Sequence, residues 1–580
     1  MKKSGAWLAR YALEQLPIGY TFGIPGVHNT ELYDELNSSE VIEPVLVTHE
    51  GCGAFMADAV SRVSDKIGCM LIVPAAGVTH AASGIGEAFL DGIPMLVISG
   101  GIRSDSKYGY QLHEMDQHKL LEPITKKTFK VESQDMIIPT LFEAYAIAVD
   151  GEPGPVFVEI PVNIQLDRGE VKNLPEFVKT THQYPLEESE LEQAMSLLDG
   201  AKNPGIFVGW GAVDALPFIR EIAEHIGAPV ATTLQGLSAF PADHPLHAGF
   251  GFGPAAVPSA RNAFAGCDCL LAVGTRFGEI ATASYGVTVP ENLIHIDINP
   301  KVFNRNYPAR VSIQGDAKIV CEKLLEKIKF GVSRKKSADV ESQIAADKMA
   351  FRLEWQSADK EDCVNPVRFF DELRMQLDQD AYVVVDDGNH TFLTAELLPI
   401  YKARGLISPT DFNCMGYAVP AAIGAKISHP DKEVVSIVGD GAFLMTAMEL
   451  ATASQRNLGT INFVFNDGEL SQIAQAQTRP YNRTTCADVA SVKLEGIATA
   501  TGCEYLAIKN NQEIAAAITN AFDIADKGKP VIVDVNIDYS KPTCFTQGAV
   551  KTNIKRLPFD TKVRMIGRAI YRKITKKDSN

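Results

Sequence analysis

Two acidic residues 27 positions apart each follow an apolar run. Val434-Val435-Ser436-Ile437-Val438 ends in Gly439-Asp440-Gly441, and Thr460-Ile461-Asn462-Phe463-Val464-Phe465 ends in Asn466-Asp467-Gly468. The runs read as strands, and Ala442–Arg456 between them reads as one helix. If the strands are neighbours in a parallel sheet, both carboxylates emerge at its carboxyl edge, where open α/β sheets bind ligands. Two such oxygens and a loop carbonyl suit Mg²⁺, with room for phosphate oxygens and water. The glycines let the backbone approach a diphosphate at the amino terminus of the next helix. A tight turn with an aspartate cap is the plainer reading of Gly-Asp-Gly alone. The second strand-end acid favours the ligand site.

Other residues are candidates by type. Glu50, in Thr48-His49-Glu50-Gly51-Cys52-Gly53-Ala54, reads as a carboxylate at a strand end, or as a surface glutamate. His28 and His113 have the pKa range to shuttle protons, but satisfied histidines are equally common. Gln472, Gln475 and Gln477 make the loop after Asp467 rich in amides, as a polar substrate would suit or as a solvated loop would have.

These residues need elements to hold them. The chain has 580 residues, too many for one core. Apolar runs of five or six residues, closed by Gly-rich turns and followed by helical patterns, recur in three blocks. This predicts three doubly wound α/β domains with parallel sheets. Strands are expected at Pro44–Thr48, Cys69–Val73 and Met95–Ser99, then Pro204–Val208, Cys269–Val273 and Leu293–Ile298, then Tyr382–Val385, Val434–Val438, Ile461–Phe465 and Val531–Val535. Linkers are expected over Leu166–Glu190 and over the charged, partly helical Gly331–Asn365.

Composition excludes several classes. The net charge of −16 argues against a nucleic-acid binder. No apolar run is long enough to span a bilayer, and the amino terminus lacks a signal-peptide core. Ten scattered cysteines without a C-x-x-C pair read as thiols in a reducing cytoplasm. The ten Lys/Arg and two Asp of residues 551–580 give this tail +8 and leave −24 for the rest. Val563, Ile566, Ile570 and Ile574 follow helical spacing, so the tail is a candidate for lipid association or for packing on its own acidic body.

Four motifs in order resemble the thiamine-diphosphate-dependent superfamily of acetolactate synthases, pyruvate decarboxylases and benzaldehyde lyases. They are Phe22–Gly26, Thr48–Ala54, Asn413–Ala425, and Gly439-Asp440-Gly441 with Asp467. The resemblance implies a pyrimidine-binding domain over 1–170, a middle domain over 188–335, a diphosphate-binding domain over 366–548 and a tail over 549–580. It implies that thiamine diphosphate, through its ylid and enamine forms, decarboxylates a 2-oxo acid and ligates a second carbonyl. Glu50 would support the imino form of the aminopyrimidine. Asn413 lies in the segment that holds this ring, and Met415 would bend the cofactor. Gly388, Asn389, His390, Gly439, Gly441 and Ala442 would contact the diphosphate. Asp440 and Asp467 would ligate Mg²⁺ by side chain and Glu469 by its carbonyl. Because relatives share each site between two chains, a homodimer or homotetramer is implied, with 2-oxo acids or hydroxy ketones as substrates.

The sequence also departs from that pattern. Pro74–Val78 replaces the usual Ser/Thr-Gly-Pro-Gly turn. Ile473 stands where pyruvate decarboxylases have a glutamate, which argues against simple aldehyde release. Ala476 stands where branched-chain acetolactate synthases have a tryptophan. His28 aligns with a proton-relay histidine of benzaldehyde lyase, and His113 falls at a glutamine of acetolactate synthases. Gly274–Gly278, His295–Asn299 and Gly315-Asp316 resemble segments that bind FAD or ADP in some relatives. Alternatives are a flavin-dependent 2-oxo acid oxidase, a 2-hydroxy ketone lyase, or a non-catalytic paralogue, against which intact Glu50, Asp440 and Asp467 argue.

Overall fold

The computed structural model describes residues 2–171, 173–179 and 184–575. Three six-stranded sheets, each wholly parallel, carry helices on their faces. The amino-terminal sheet runs in the order Glu43–Leu46, Tyr20–Gly23, Gly68–Ile72, Met95–Gly101, Pro155–Pro161 and Lys127–Lys130. The carboxyl-terminal sheet repeats this topology as Leu406–Ile407, Tyr382–Val385, Val434–Gly439, Ile461–Asn466, Val531–Asn536 and Glu504–Ile508. The middle sheet winds differently, with Pro204–Val208 and Cys269–Val273 at its centre and His247–Phe250 at one edge. The expected strands form with ends shifted by a residue or two.

The linkers are more structured than their composition implies. Arg168–Glu170 pairs antiparallel with Lys2–Ser4, and Ala338–Gln356 is a 19-residue helix that buries Trp355. The expected helix Ala442–Arg456 is broken into Asp440–Thr446, a 3₁₀ turn at Ala447–Glu449, and Leu450–Gln455. The cause is Glu449: the turn aims its buried carboxylate at the amide and hydroxyl of Thr48 in the amino-terminal domain.

Helix Glu50–Val63 packs on helix Ala418–Ser428, joining the first and last domains. A Cβ at Gly424 would lie 2.5 Å from the Met56 carbonyl oxygen, so this approach requires glycine. Beside the contact, buried Arg62 donates to Asp58 at 2.7 Å and to Asp91 at 2.8 Å. Tyr417 donates to Asp58 at 2.6 Å, and Asp91 accepts from the Asp411 amide at 3.0 Å. Glu87 accepts from the amides of Thr410 and Cys414. Burial, then the charge of Asp91, pushes Glu87 up to about 9, so it is neutral and does not oppose its neighbours at pH 7. Arg276 of the middle domain bridges Glu152 at 3.4 Å and Asp411 at 2.9 Å, touching all three domains.

The tail forms helices Cys544–Arg556 and Phe559–Thr575. The second lies along Ser471–Tyr481, with Arg568 over the Tyr481 ring at 4.6 Å. Arg568 and Arg572 thus face the body at Tyr481, while Arg564 and the apolar Val563, Ile566 and Ile570 are exposed. The side chain of Ile574 lies outside the described residues. Among the described residues no helix is long and apolar enough to cross a membrane.

Arg62→Met strands Asp58 and Asp91 without a counterion, at a cost of about 3–5 kcal/mol. It is expected to lower the melting temperature, and Arg62→Lys should not rescue it because an ammonium lacks the guanidinium fork. Wild-type melting of Arg62→Met would contradict this.

Candidate functional site

At the carboxyl edge of the last sheet lies a cavity of about 200 Å³, lined by residues of that domain. Three adjacent strands set its floor. Val385 pairs with Ile437 and Gly439 with Phe465, so the Gly388 turn, Asp440 and Asp467 emerge side by side. Every residue expected at the diphosphate and metal lines this cavity: Gly388, Asn389 and His390, then Asn413 and Met415, then Gly439–Ala442, then Asp467 and Glu469.

Gly388 has φ 152°, and a Cβ there would meet the His390 ring at 2.5 Å. The turn opens helix Asn389–Leu397, whose first residues line the cavity, and a helix start is where an anion is favoured. His390 is buried, and desolvation pushes it down to about 3, so its ring is neutral. Asp386, buried at the strand end, accepts from the amides of Asp387, Gly416 and Ala418 at 2.7–2.9 Å. It thereby ties the Met415 segment to the Gly388 turn. Asn413 holds φ 65° and bonds Asp387, whose carboxyl burial pushes up to about 6.

The two strand-end acids lie close together. Asp440 accepts from the Gly441 amide at 2.7 Å and the Gly468 amide at 2.9 Å. Asp467 accepts from the Ser471 hydroxyl and from the Glu469 amide. Burial raises the pKa of both, and the charge of Asp440 raises that of Asp467 further. A divalent cation would reverse that shift by stabilising both charged forms.

Three polar atoms on the cavity wall have no partner: His390 Nε2, Gln472 Oε1 and the Tyr539 hydroxyl. Buried polar groups are normally satisfied, so these fit a bound polar molecule such as a diphosphate cofactor. The stretch expected as an amide-rich loop is instead helix Ser471–Tyr481: Gln472 reaches the cavity with Ile473, whereas Gln475 and Gln477 bond the carbonyls of Tyr539 and Thr485. Tyr539 and Asp387 escaped the sequence reading. Asp387 was within its reach as a second acid beyond the strand Tyr382–Val385, but Tyr539 follows the last strand without a motif.

The remaining candidates sit in the amino-terminal domain. Glu50 is the first residue of helix Glu50–Val63, not the end of a strand. The strand stops at Leu46, and His49 caps the helix by accepting from the Gly51 amide at 3.0 Å. The Glu50 carboxylate is 5% exposed and bonds His80 Nδ1 at 3.0 Å. His28 and His113 meet with ring centroids 5.0 Å apart, and neither Nδ1 has a partner. Burial, then His113, lowers the pKa of His28. Leading into His113, Tyr108, Tyr110 and Leu112 are exposed by 66% or more, an apolar loop uncovered in the single chain.

Family models give the same assignment along the chain. Residues 3–120 match the thiamine pyrophosphate enzyme amino-terminal binding domain, 191–324 the central domain and 386–535 the carboxyl-terminal binding domain. The chain is 32% identical over 555 residues to the acetolactate synthase large subunit of Corynebacterium glutamicum, spanning 92% of this chain and 86% of the relative. It is 31% identical to that of Haemophilus influenzae, over 93% of this chain and 96% of the relative. It is 30% identical to the isozyme 3 large subunit of Escherichia coli, over 93% and 95%. With a candidate diphosphate cavity on the last domain and a candidate glutamate on the first, the chain belongs to the thiamine pyrophosphate enzymes and is an acetolactate synthase-like enzyme.

Proposed function

We propose that the chain is a Mg²⁺-dependent 2-oxo acid decarboxylase and carboligase whose sites are completed between two subunits. The observation that carries this reading is the pair Asp440 and Asp467 at the mouth of a cavity with unpartnered polar walls. Thiamine diphosphate, when bound, supplies a carbon nucleophile and an electron sink. Asp440 and Asp467, with the Glu469 carbonyl, would hold the metal, which would neutralise the diphosphate charge. The amides opening helix Asn389–Leu397 hold the diphosphate, with Gly439, Gly441 and Ala442 close behind.

Glu50 is absent from the residues lining the cavity of its own chain. The uncovered loop Tyr108–Leu112 gives the same domain an apolar face for a second copy. Glu50 of the partner subunit would then hold a proton for exchange with the aminopyrimidine. Its burial shields that exchange from water. His28 and His113, brought together across the loop, move a proton to and from the substrate oxygen. Ile473 sets hydrocarbon rather than an acid at the cavity wall. The lack of a carboxyl at that one position favours attack on a second carbonyl over release of an aldehyde. The histidine pair also suits the reverse cleavage of a 2-hydroxy ketone.

The middle domain serves as a brace in this reading. Arg276 is engaged by Glu152 and Asp411, so a nucleotide phosphate seated on Arg276 would have to displace both carboxylates. A flavin-dependent oxidase is therefore disfavoured.

Purified chain given thiamine diphosphate and Mg²⁺ is expected to be colourless and to release CO₂ from 2-oxo acids. Glu50→Gln should abolish this while keeping fold and cofactor binding. Turnover by Glu50→Gln at the wild-type rate would overturn the role of Glu50, and the visible absorption of a flavin would overturn the brace. Asp440→Ala should lose Mg²⁺-dependent retention of thiamine diphosphate in a binding titration. Unchanged affinity with and without Mg²⁺ would overturn the two-carboxylate metal site.

A further inference from the structure

A second cavity, of about 160 Å³, lies where the middle and last domains meet. Its walls are the edge strand His247–Phe250, helix Ala338–Gln356 and the segment ending helix Asn389–Leu397. Lys348 and Arg352, one helical turn apart, both line it. Like charges at this spacing destabilise a helix, so helix stability does not explain the pair.

Arg352 has partners: Asp371 at 2.6 Å and the Leu397 carbonyl at 3.0 Å. Lys348 has weaker ones, His247 Nδ1 at 3.3 Å and the Ala242 carbonyl at 3.4 Å. Among the described residues no carboxylate lies within ion-pair distance of its ammonium, Asp243 acting only from farther off. Burial, then Arg352, pulls Lys348 down to about 8. His247 is buried and pushed well below its ordinary range, so it is neutral and no counterion. The one acid on the wall, Glu396, has its oxygens taken by the amides of Cys544 and Phe545. The remaining wall is largely apolar, with Leu237, Val257, Phe351 and Ile400.

A partly buried cation without a counterion, beside a guanidinium and facing hydrocarbon, matches an anion with a short aliphatic body. We propose that this cavity binds a short aliphatic carboxylate, its charge set against Lys348 and Arg352 and its hydrocarbon among Leu237, Val257 and Phe351. The volume is that of a site for one small molecule. Helix Asn389–Leu397 presents its first residues to the diphosphate cavity and its last to this one. Nine residues separate the two by about 13 Å, so the carboxylate does not compete with the cofactor.

The test is calorimetric titration of the full chain, loaded with thiamine diphosphate and Mg²⁺, with isobutyrate and with isobutyramide, its neutral isostere. Isobutyrate should bind saturably and isobutyramide at least about tenfold more weakly, as loss of a charged contact implies. Lys348→Met should weaken isobutyrate at least about tenfold and leave thiamine diphosphate affinity unchanged, which also certifies its fold. The comparison of the two probes on the wild-type chain stands without the variant. No saturable isobutyrate binding, equal binding of the amide, undiminished binding by a folded Lys348→Met, or competition with thiamine diphosphate would each overturn the proposal.

Discussion

The constraint on which the rest depends is a buried ionic cluster of the first domain that is hydrogen-bonded to the last. Arg62 and its two aspartates reach no water, so the guanidinium is held by geometry rather than by solvent. Through Asp58 the contact reaches Tyr417, through Asp91 the amide of Asp411, and through neutral Glu87 the amides of Thr410 and Cys414. One stretch, residues 410–417, is thus gripped by the amino-terminal domain along its whole length. Met415 and Asn413 belong to it, so their position in the cavity is set by a neighbouring domain. Asp386 completes the grip from the other side by binding the amides of Gly416 and Ala418.

That arrangement separates two tasks. The last domain holds charge, with amides at a helix start for an anion and two carboxylates for a cation. Burial raises the pKa of both carboxylates, and a divalent cation held there would stabilise their charged forms. In the proposed reading the first domain carries the proton chemistry, with Glu50 shielded at a helix start and His28 and His113 in ring contact. The middle domain contributes Arg276 as a strut to both.

Much of this was legible in the sequence because strand and turn signals are local. Asp440 and Asp467 each follow five or six β-forming residues, and the parallel register then places them together whatever the rest of the chain does. Three sheets were legible for the same reason. What escaped depends on distant partners. The helix after Asp440 breaks because Thr48, 401 positions away, recruits Glu449. Glu50 reads as a strand end in sequence, yet His49, not a usual cap residue, caps a helix that begins there. His28 and His113 are 85 positions apart in sequence, and their meeting is a product of packing. Tyr539 enters the cavity from a loop with no periodicity to mark it.

The central claim is that each diphosphate cavity is completed by Glu50 of the partner subunit. Mixing Glu50→Gln chains with Asp440→Ala chains, unfolded together and refolded as one pool, tests it directly. Each variant alone is predicted to be inactive. Random pairing in a two-fold dimer gives mixed dimers with one cavity that has both Asp440 and the partner's Glu50, and so about a quarter of the wild-type activity. Activity that stays at the level of the separate variants, in a pool shown to contain mixed dimers, would contradict it.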